Sequence, residues 1–287
     1  MVFNSFRMNE LLNKSAETEI TDPRTPVFIS GLPGKMATLV AEALIANGQY
    51  ELSPVAMASA KHNWGHFNLG IRKIRLIDYC PNDLMPGTIA VDYTTPQNST
   101  LNARHYTWAG VPFIMGTTGG DREEIETMVR NSKISAVIAP NMAVSIVQVQ
   151  DEIQRLLETS PDIFSGWQMT IIESHQSTKK DVSGTARALQ SQLERLGAVM
   201  DSEIKSIRDP EHQQNLGIQN LDGHGYLWIT LTSPTGEIKR FETAVEGREP
   251  YVQGTLMAIN FLSRKMKEGS RGEIFTMSDV IREEVRI

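Results

Sequence analysis

The sequence predicts an α/β protein in two parts: a parallel sheet with helices on both faces, then an α+β domain with a mixed sheet. Three observations carry this. From Val27 to Met142, short β-branched runs alternate with helical stretches, which is the rhythm of a parallel sheet. Beyond Met142 that rhythm gives way to longer runs in which apolar and polar residues alternate. Between two of those runs, Ser233-Pro-Thr-Gly236 reads as a hairpin turn. At 287 residues, with 40% hydrophobic and 22% charged content, the chain can bury the core such a fold needs.

Residues 1–25 read as a polar tail ending in "DPRTP", whose prolines stop any helix before the first strand, Val27–Gly31. "KMATLVAEALIANG" follows with helical spacing at Met36, Leu39, Val40, Ala43 and Leu44, and with Gly48 as its C-cap. "ELSPVAMA", "TIAVDYT", "VPFIMGTT" and "ISAVIAP" are the next strands, with "STLNARHYTWAG" and "DREEIETMVRNS" as helices between the later ones. A long helix, "SIVQVQDEIQRLLETS", leads to the strand "WQMTIIESH", the helix "GTARALQSQLERLG" and the hairpin arms around "SPTG". The amphipathic "GTLMAINFLSRKMKEG" is expected to return to the first domain. The expected domains are 26–143, completed by 250–287, and 144–249.

Several function classes fall away. A net charge of -6 argues against a general nucleic-acid binder. No apolar run approaches the ~18 residues of a membrane helix, and the N-terminus has no secretory h-region. Cys80 is the single cysteine, which excludes an internal disulfide and a multi-cysteine metal site. His62 and His66 stand four apart, but their segment is not helix-like and lacks an acidic third ligand, so no metal is expected. Ser177-Thr-Lys-Lys180 matches S-x-x-K without the S-D-N or K-T-G that a β-lactamase needs.

The positive signals are two. Gly31-Leu-Pro-Gly34-Lys35-Met36-Ala37 joins a strand to a helix, which is either a phosphate cradle or a tight βα turn. The second strand ends in "VAMASAKHN" without an acid for a ribose, while Ser59 and Lys61 suit a 2'-phosphate; this favours NADPH, with NADH possible. The loops Thr94–Thr100 and Gly116–Arg122 also follow strand ends, where ligands of open α/β sheets bind. The second signal is "IIESHQSTKKDVSGTARAL". It offers His175 as a proton donor near neutral pH, Lys179 as a fixed charge, and Ser183-Gly184-Thr185 as a helix start for an anion. Ser183 or Asp181 also suits the role of helix cap, and the two roles are compatible.

Together these motifs resemble the dihydrodipicolinate reductase (4-hydroxy-tetrahydrodipicolinate reductase) family, in its plant-type branch, from about Val27 to the C-terminus. The resemblance rests on "ESHQSTKKDVSGTA", "VPFIMGTTGGDR", "IFSGW", "IRDPEHQ" and Gly223-His224. It implies a Rossmann domain, NAD(P)H-dependent reduction on the diaminopimelate route to lysine, a small dicarboxylate substrate and a homotetramer. It also implies His175 as general acid, Lys179 as substrate stabiliser, and Gln176, Ser183, Gly184 and Thr185 as substrate contacts. Gly31, Gly34, Lys35 and Met36 would cradle the pyrophosphate, with Thr94 beside them. Gly116, Thr117, Thr118 and the stretch Ala139, Asn141, Met142 would border the nicotinamide. The chain departs from the family's pattern at Pro33, at Ala37 and in "APNMAVS". The expected compartment is the cytoplasm of a bacterium or the plastid stroma of a plant or alga. The alternatives are a reductase of another cyclic imine or unsaturated dicarboxylate, and a catalytically silent NADPH-binding regulator.

Overall fold

A computed structural model describes residues 24–58 and 65–284. The polar tail up to residue 23 and the segment holding Ser59, Lys61 and His62 lie outside the described residues. The first sheet is built around β1 (Thr25–Leu32), between β6 (Ile89–Asp92) on one side and β2 (Tyr50–Leu52) and β3 (Val55–Ala58) on the other. Beyond β6 follow β7 (Phe113–Met115), β8 (Ala136–Ile138) and β14 (Ile274–Phe275); beyond β3 follow β5 (Arg72–Ile77) and β4 (Gly65–Leu69). Every pairing is parallel except the β4–β5 hairpin.

Helices cover both faces. On one side, α1 (Lys35–Ala46), α7 (Glu249–Lys267) and α8 (Met277–Glu284) bury Val40, Leu44, Ile259, Phe261 and Val280 against Val27, Ile29 and Val91. On the other, α2 (Pro96–Ala109) and α3 (Arg122–Arg130) bury Tyr106, Ile125 and Val129 against Phe28 and Phe113. The returning helix therefore does pack on the first sheet. Its Gly254 is where it touches: a Cβ there would sit 1.8 Å from the Met142 carbonyl oxygen.

The structure differs from the local expectations at four points. "ELSPVAMA" is two strands, because Pro54 cannot donate to the ladder and the chain kinks at Ser53, whose hydroxyl accepts the Val55 N–H. The first helix ends one residue earlier than a Gly48 cap requires: Asn47 is the C-cap, its N–H donates to Ala43, and its side chain accepts the Gln49 N–H. The β4–β5 hairpin was not anticipated; Gly70, at φ +57°, makes its turn. β1 also starts two residues early. Pro26 is tolerated because Thr25 already bonds toward β2, so its missing N–H faces the side where β6 has not begun.

The second sheet has β9 (Gln168–His175) between β10 (Val199–Met200) and β11 (Lys205–Ile207), parallel to it, and β12 (His224–Thr232), antiparallel to it. β13 (Ile238–Glu246) completes it through the expected hairpin, with Gly236 at φ +91°. One face packs on α4 (Val144–Thr159) and α5 (Gly184–Arg195), burying Met169, Ile171, Ile229, Leu189 and Leu193. The short α6 (Pro210–Asn215) follows β11. Gly254→Ala should lift α7 from the Met142 loop and lower unfolding free energy by about 1–3 kcal/mol. A urea midpoint equal to wild type would show that the close approach is unimportant.

Candidate active site

The loops after β1, β6, β7 and β8 all leave the carboxyl edge of one parallel sheet. The strand order reverses at β1/β6, the switch point where such sheets open a crevice. Two glycines let the loops meet there. A Cβ on Gly31, at φ +113°, would lie 2.3 Å from the Tyr93 carbonyl oxygen, and one on Gly116 would lie 2.4 Å from the Tyr93 ring. A cavity of about 220 Å³ opens between them, lined by Met36, Tyr93, Thr94, Pro96, Gly116, Thr117 and Thr118. Of the expected cofactor residues, Met36, Thr94, Gly116, Thr117 and Thr118 thus share one cavity.

The cradle's donors can be assigned. Gly34 spends its N–H on the Gly31 carbonyl at 2.7 Å, and Pro33 has none. The open donors are those that start α1, at Lys35, Met36 and Ala37, which have no intrahelical acceptor. Gly34 supplies no side-chain cap, and neither Thr95 before α2 nor Ala143 before α4 does. The side chain of Ala37 is buried in the core. The side chains of Ala139 and Met142 are core as well, so only their backbone is left to face a ligand. Asn141 uses its side-chain oxygen to accept the Ala143 N–H.

Beneath this crevice lies a carboxylate that the sequence reading missed. Asp92 ends β6 fully buried and accepts from the Thr94 N–H and hydroxyl, the Thr117 and Tyr106 hydroxyls and the Asn102 amide, at 2.7–3.0 Å. It ties Thr94 to Thr117 and so fixes two cavity walls. The signal was an acid at the end of an otherwise apolar strand.

The second half of the site grows from β9. Strand alternation puts Met169, Ile171, Glu173 and His175 on one face, so the last two continue a buried row. Glu173 is 0% exposed. Its Oε2 accepts the Ser183 N–H at 2.9 Å, and its Oε1 accepts from Ser206 at 2.9 Å and Arg208 at 2.6 Å. Arg208 also donates to the Lys179 and Asp181 carbonyls, closing the motif loop. Gln213, wholly buried on α6, donates to the His175 carbonyl at 2.8 Å. His224 lies 2.9 Å from Ser174 Oγ and 2.8 Å from the Asn220 carbonyl. Thus "IRDPEHQ" and the Gly223-His224 pair, quoted above without roles, are the frame of the motif loop.

The expected site residues come together on this frame. Ser183 caps α5 by accepting the Ala186 N–H, so both roles considered for it remain compatible. Its N–H is occupied by Glu173, which leaves those of Gly184 and Thr185 for an anion. Gly184 is exposed, and a Cβ built there meets nothing within 4 Å. Folding therefore does not require glycine at that position. Lys179 is half-buried, and its ammonium has no carboxylate partner among the described residues. Gln176 turns the chain, its carbonyl accepting the Lys179 N–H.

Burial pushes the Glu173 carboxyl up, but Arg208, the Ser183 N–H and the Ser206 hydroxyl together hold it below the usual carboxylate range. Burial, joined by the positive charges of Arg208, Lys179 and His224 and opposed by Glu173, lowers the His175 imidazole from 6.5 to about 4. In the free protein these surroundings favour the neutral form of His175 near neutral pH.

A crevice at the switch point of a parallel sheet, with an open helix start packed on a second, mixed sheet, is the arrangement of the two-domain nicotinamide-dependent oxidoreductases. Family models described as the N-terminus and the C-terminus of dihydrodipicolinate reductase match residues 25–142 and 149–281. The chain belongs to the dihydrodipicolinate reductase family. It is 34% identical, over 96% of its length and 84% of the relative's, to a probable 4-hydroxy-tetrahydrodipicolinate reductase 1, chloroplastic, of Oryza sativa subsp. japonica. A 4-hydroxy-tetrahydrodipicolinate reductase 1, chloroplastic, of Arabidopsis thaliana is also 34% identical, with 90% and 78% covered. In fold it is similar to a dipicolinate-bound dihydrodipicolinate reductase from Paenisporosarcina sp. TG-14, at TM-score 0.64 and 18% identity, covering 88% and 98% of the two chains.

The depressed imidazole has a consequence for stability. Between pH 6.5 and about 4 the unfolded chain binds a proton at His175 that the folded protein refuses. Stability is full above 6.5 and falls as the pH drops toward 4. His175→Gln should flatten that part of the urea-midpoint profile. A profile as steep as wild type would place the loss at another group.

Proposed function

We propose that the protein converts 4-hydroxy-tetrahydrodipicolinate, which loses its hydroxyl as water to give dihydrodipicolinate, to tetrahydrodipicolinate by reduction with NAD(P)H, on the diaminopimelate route to lysine. The observation that carries this is the placement of His175 and of Lys179, whose ammonium has no carboxylate partner among the described residues, with an open helix start at Gly184 and Thr185. That set suits a small dicarboxylate that must gain a proton. The named relatives in the family support the same reaction.

When bound, the nicotinamide supplies a hydride to the substrate ring. Lys35, Met36 and Ala37 hold the pyrophosphate through their N–H groups, and Met36, Thr94, Gly116, Thr117 and Thr118 border the rest of the dinucleotide. NADPH is the preferred form, since the sequence after the second strand has Ser59 and Lys61 and no acid to repel a 2'-phosphate. The N–H groups of Gly184 and Thr185, with the Ser183 and Thr185 hydroxyls, bind one carboxylate of the substrate, favoured by the helix dipole. Lys179 binds negative charge in both ground and transition state. His175 starts neutral, and the substrate's two carboxylates bring the negative field that raises its pKa enough to load a proton. The proton then goes to the ring atom left electron-rich by hydride addition.

The outer face of the second sheet carries half-buried Ile172, Tyr226 and Trp228 and the exposed Ile238. It is the face on which a homotetramer would assemble. The described residues include no helix long and apolar enough to cross a membrane. The enzyme works in the plastid stroma in a plant or alga, as in the relatives named chloroplastic, and in the cytoplasm in a bacterium.

The direct test supplies freshly made 4-hydroxy-tetrahydrodipicolinate and follows oxidation of NADPH and NADH separately. Turnover with both and a lower Michaelis constant for NADPH is expected, and no oxidation of either would end the proposal. Lys179→Ala should weaken substrate binding by about 10- to 100-fold, the loss of a charge-assisted bond, and should lower turnover with it. A change in turnover alone would confine Lys179 to the chemical step. Gly184→Ala should leave thermal stability equal or slightly raised while the substrate Michaelis constant rises. An unchanged constant would show that no ligand approaches there.

A further inference from the structure

We infer that Glu173 is the positioning residue of this site, one buried carboxylate that fixes the start of the anion-binding helix and governs the charge of the His175 imidazole. The inference deepens the function proposed above and rests on it only where turnover is measured. Glu173 Oε2, already bonded to the Ser183 N–H, stands 3.6 Å from His175 Nδ1. That nitrogen is buried and has no hydrogen-bond partner. A neutral ring leaves the gap open, while a protonated ring closes it by a small rotation, with Nδ1–H donating to Oε2. The other nitrogen is kept clear by a glycine. Gly225 stands opposite His175 in the β9–β12 register, and a Cβ on it would come within 3.3 Å of Nε2. The proton for the substrate is therefore carried on Nε2, with Nδ1 anchored to Glu173.

The charged and titratable groups facing this ring come from every side. Glu173 is on its own strand, Lys179 on the motif loop, Arg208 after β11 and His224 on β12. Of these only Glu173 favours the imidazolium; the other three oppose it. Removing Glu173 or Arg208 must therefore move the histidine in opposite directions, which a purely structural role for the ion pair does not predict.

The test measures the His175 pKa by imidazole NMR and the alkaline limb of kcat, which reports the substrate complex, in wild type, Glu173→Gln and Arg208→Gln. In Glu173→Gln both readouts should fall by about one pH unit or more, with turnover down at least roughly tenfold and NADPH affinity unchanged. In Arg208→Gln both should rise. If Glu173→Gln does not fold, Glu173→Asp replaces it: the charge is kept, so its limb should stay near the wild-type position despite any loss of stability. Shifts in the same direction for both charge-removing variants, no shift in either, or an Asp variant displaced like the Gln variant would each overturn the inference. The NMR readout needs no turnover, so failure of the proposed reaction and failure of the role for Glu173 are separable.

Discussion

The burial of the Glu173 carboxylate is the constraint on which the catalytic half of the molecule depends. A carboxylate removed from water is tolerated only if donors replace its hydration. Here they come from Ser206 on β11, from Arg208 just beyond it and from the Ser183 N–H at the start of α5. Satisfying one group thus draws three segments of chain together. Arg208 extends the effect to the Lys179 and Asp181 carbonyls, so the loop between β9 and α5 is held at its middle as well as its ends. His175, Lys179 and Ser183 owe their mutual placement to this frame.

The cofactor half follows the same logic. Asp92 ends a buried strand as Glu173 nearly ends β9, and each gathers donors from the loops around it. At Asp92 the donors belong to Thr94, Asn102, Tyr106 and Thr117, and the result is a pair of fixed loop walls. Glycine at 31 and 116 completes the arrangement by letting both walls close on Tyr93. Each half of the site is therefore a polar loop tied down by a buried acid.

Much of this was legible in the sequence. Alternation in β12 and β13 and the Gly236 turn were plain, as was the strand–loop–helix at Gly31, because short-range patterns determine them. The residues His175, Lys179, Ser183, Gly184 and Thr185 lie on one loop and could be read together. Glu173 could not, since an acid in an apolar strand has no meaning until its partners are known, and Arg208 lies 35 residues away. The β4–β5 hairpin was hidden because its turn holds Gly70 next to a fully exposed Ile71, not a polar turn pair. Pro54 sat inside what looked like one strand, and only pairing to different parts of β1 shows two. The pKa of His175 depends on burial, which no spacing reports.

The central claim is that substrate charge loads the proton donor. It is tested most directly by imidazole NMR of His175 at pH 7, free and with NADPH plus pyridine-2,6-dicarboxylate, a planar dicarboxylate of the substrate's shape. The account predicts a neutral ring in the free protein and an imidazolium in the complex, with the Nδ1 proton shifted downfield by its bond to Glu173. A ring that stays neutral in the complex, or one already charged in the free protein, would contradict it.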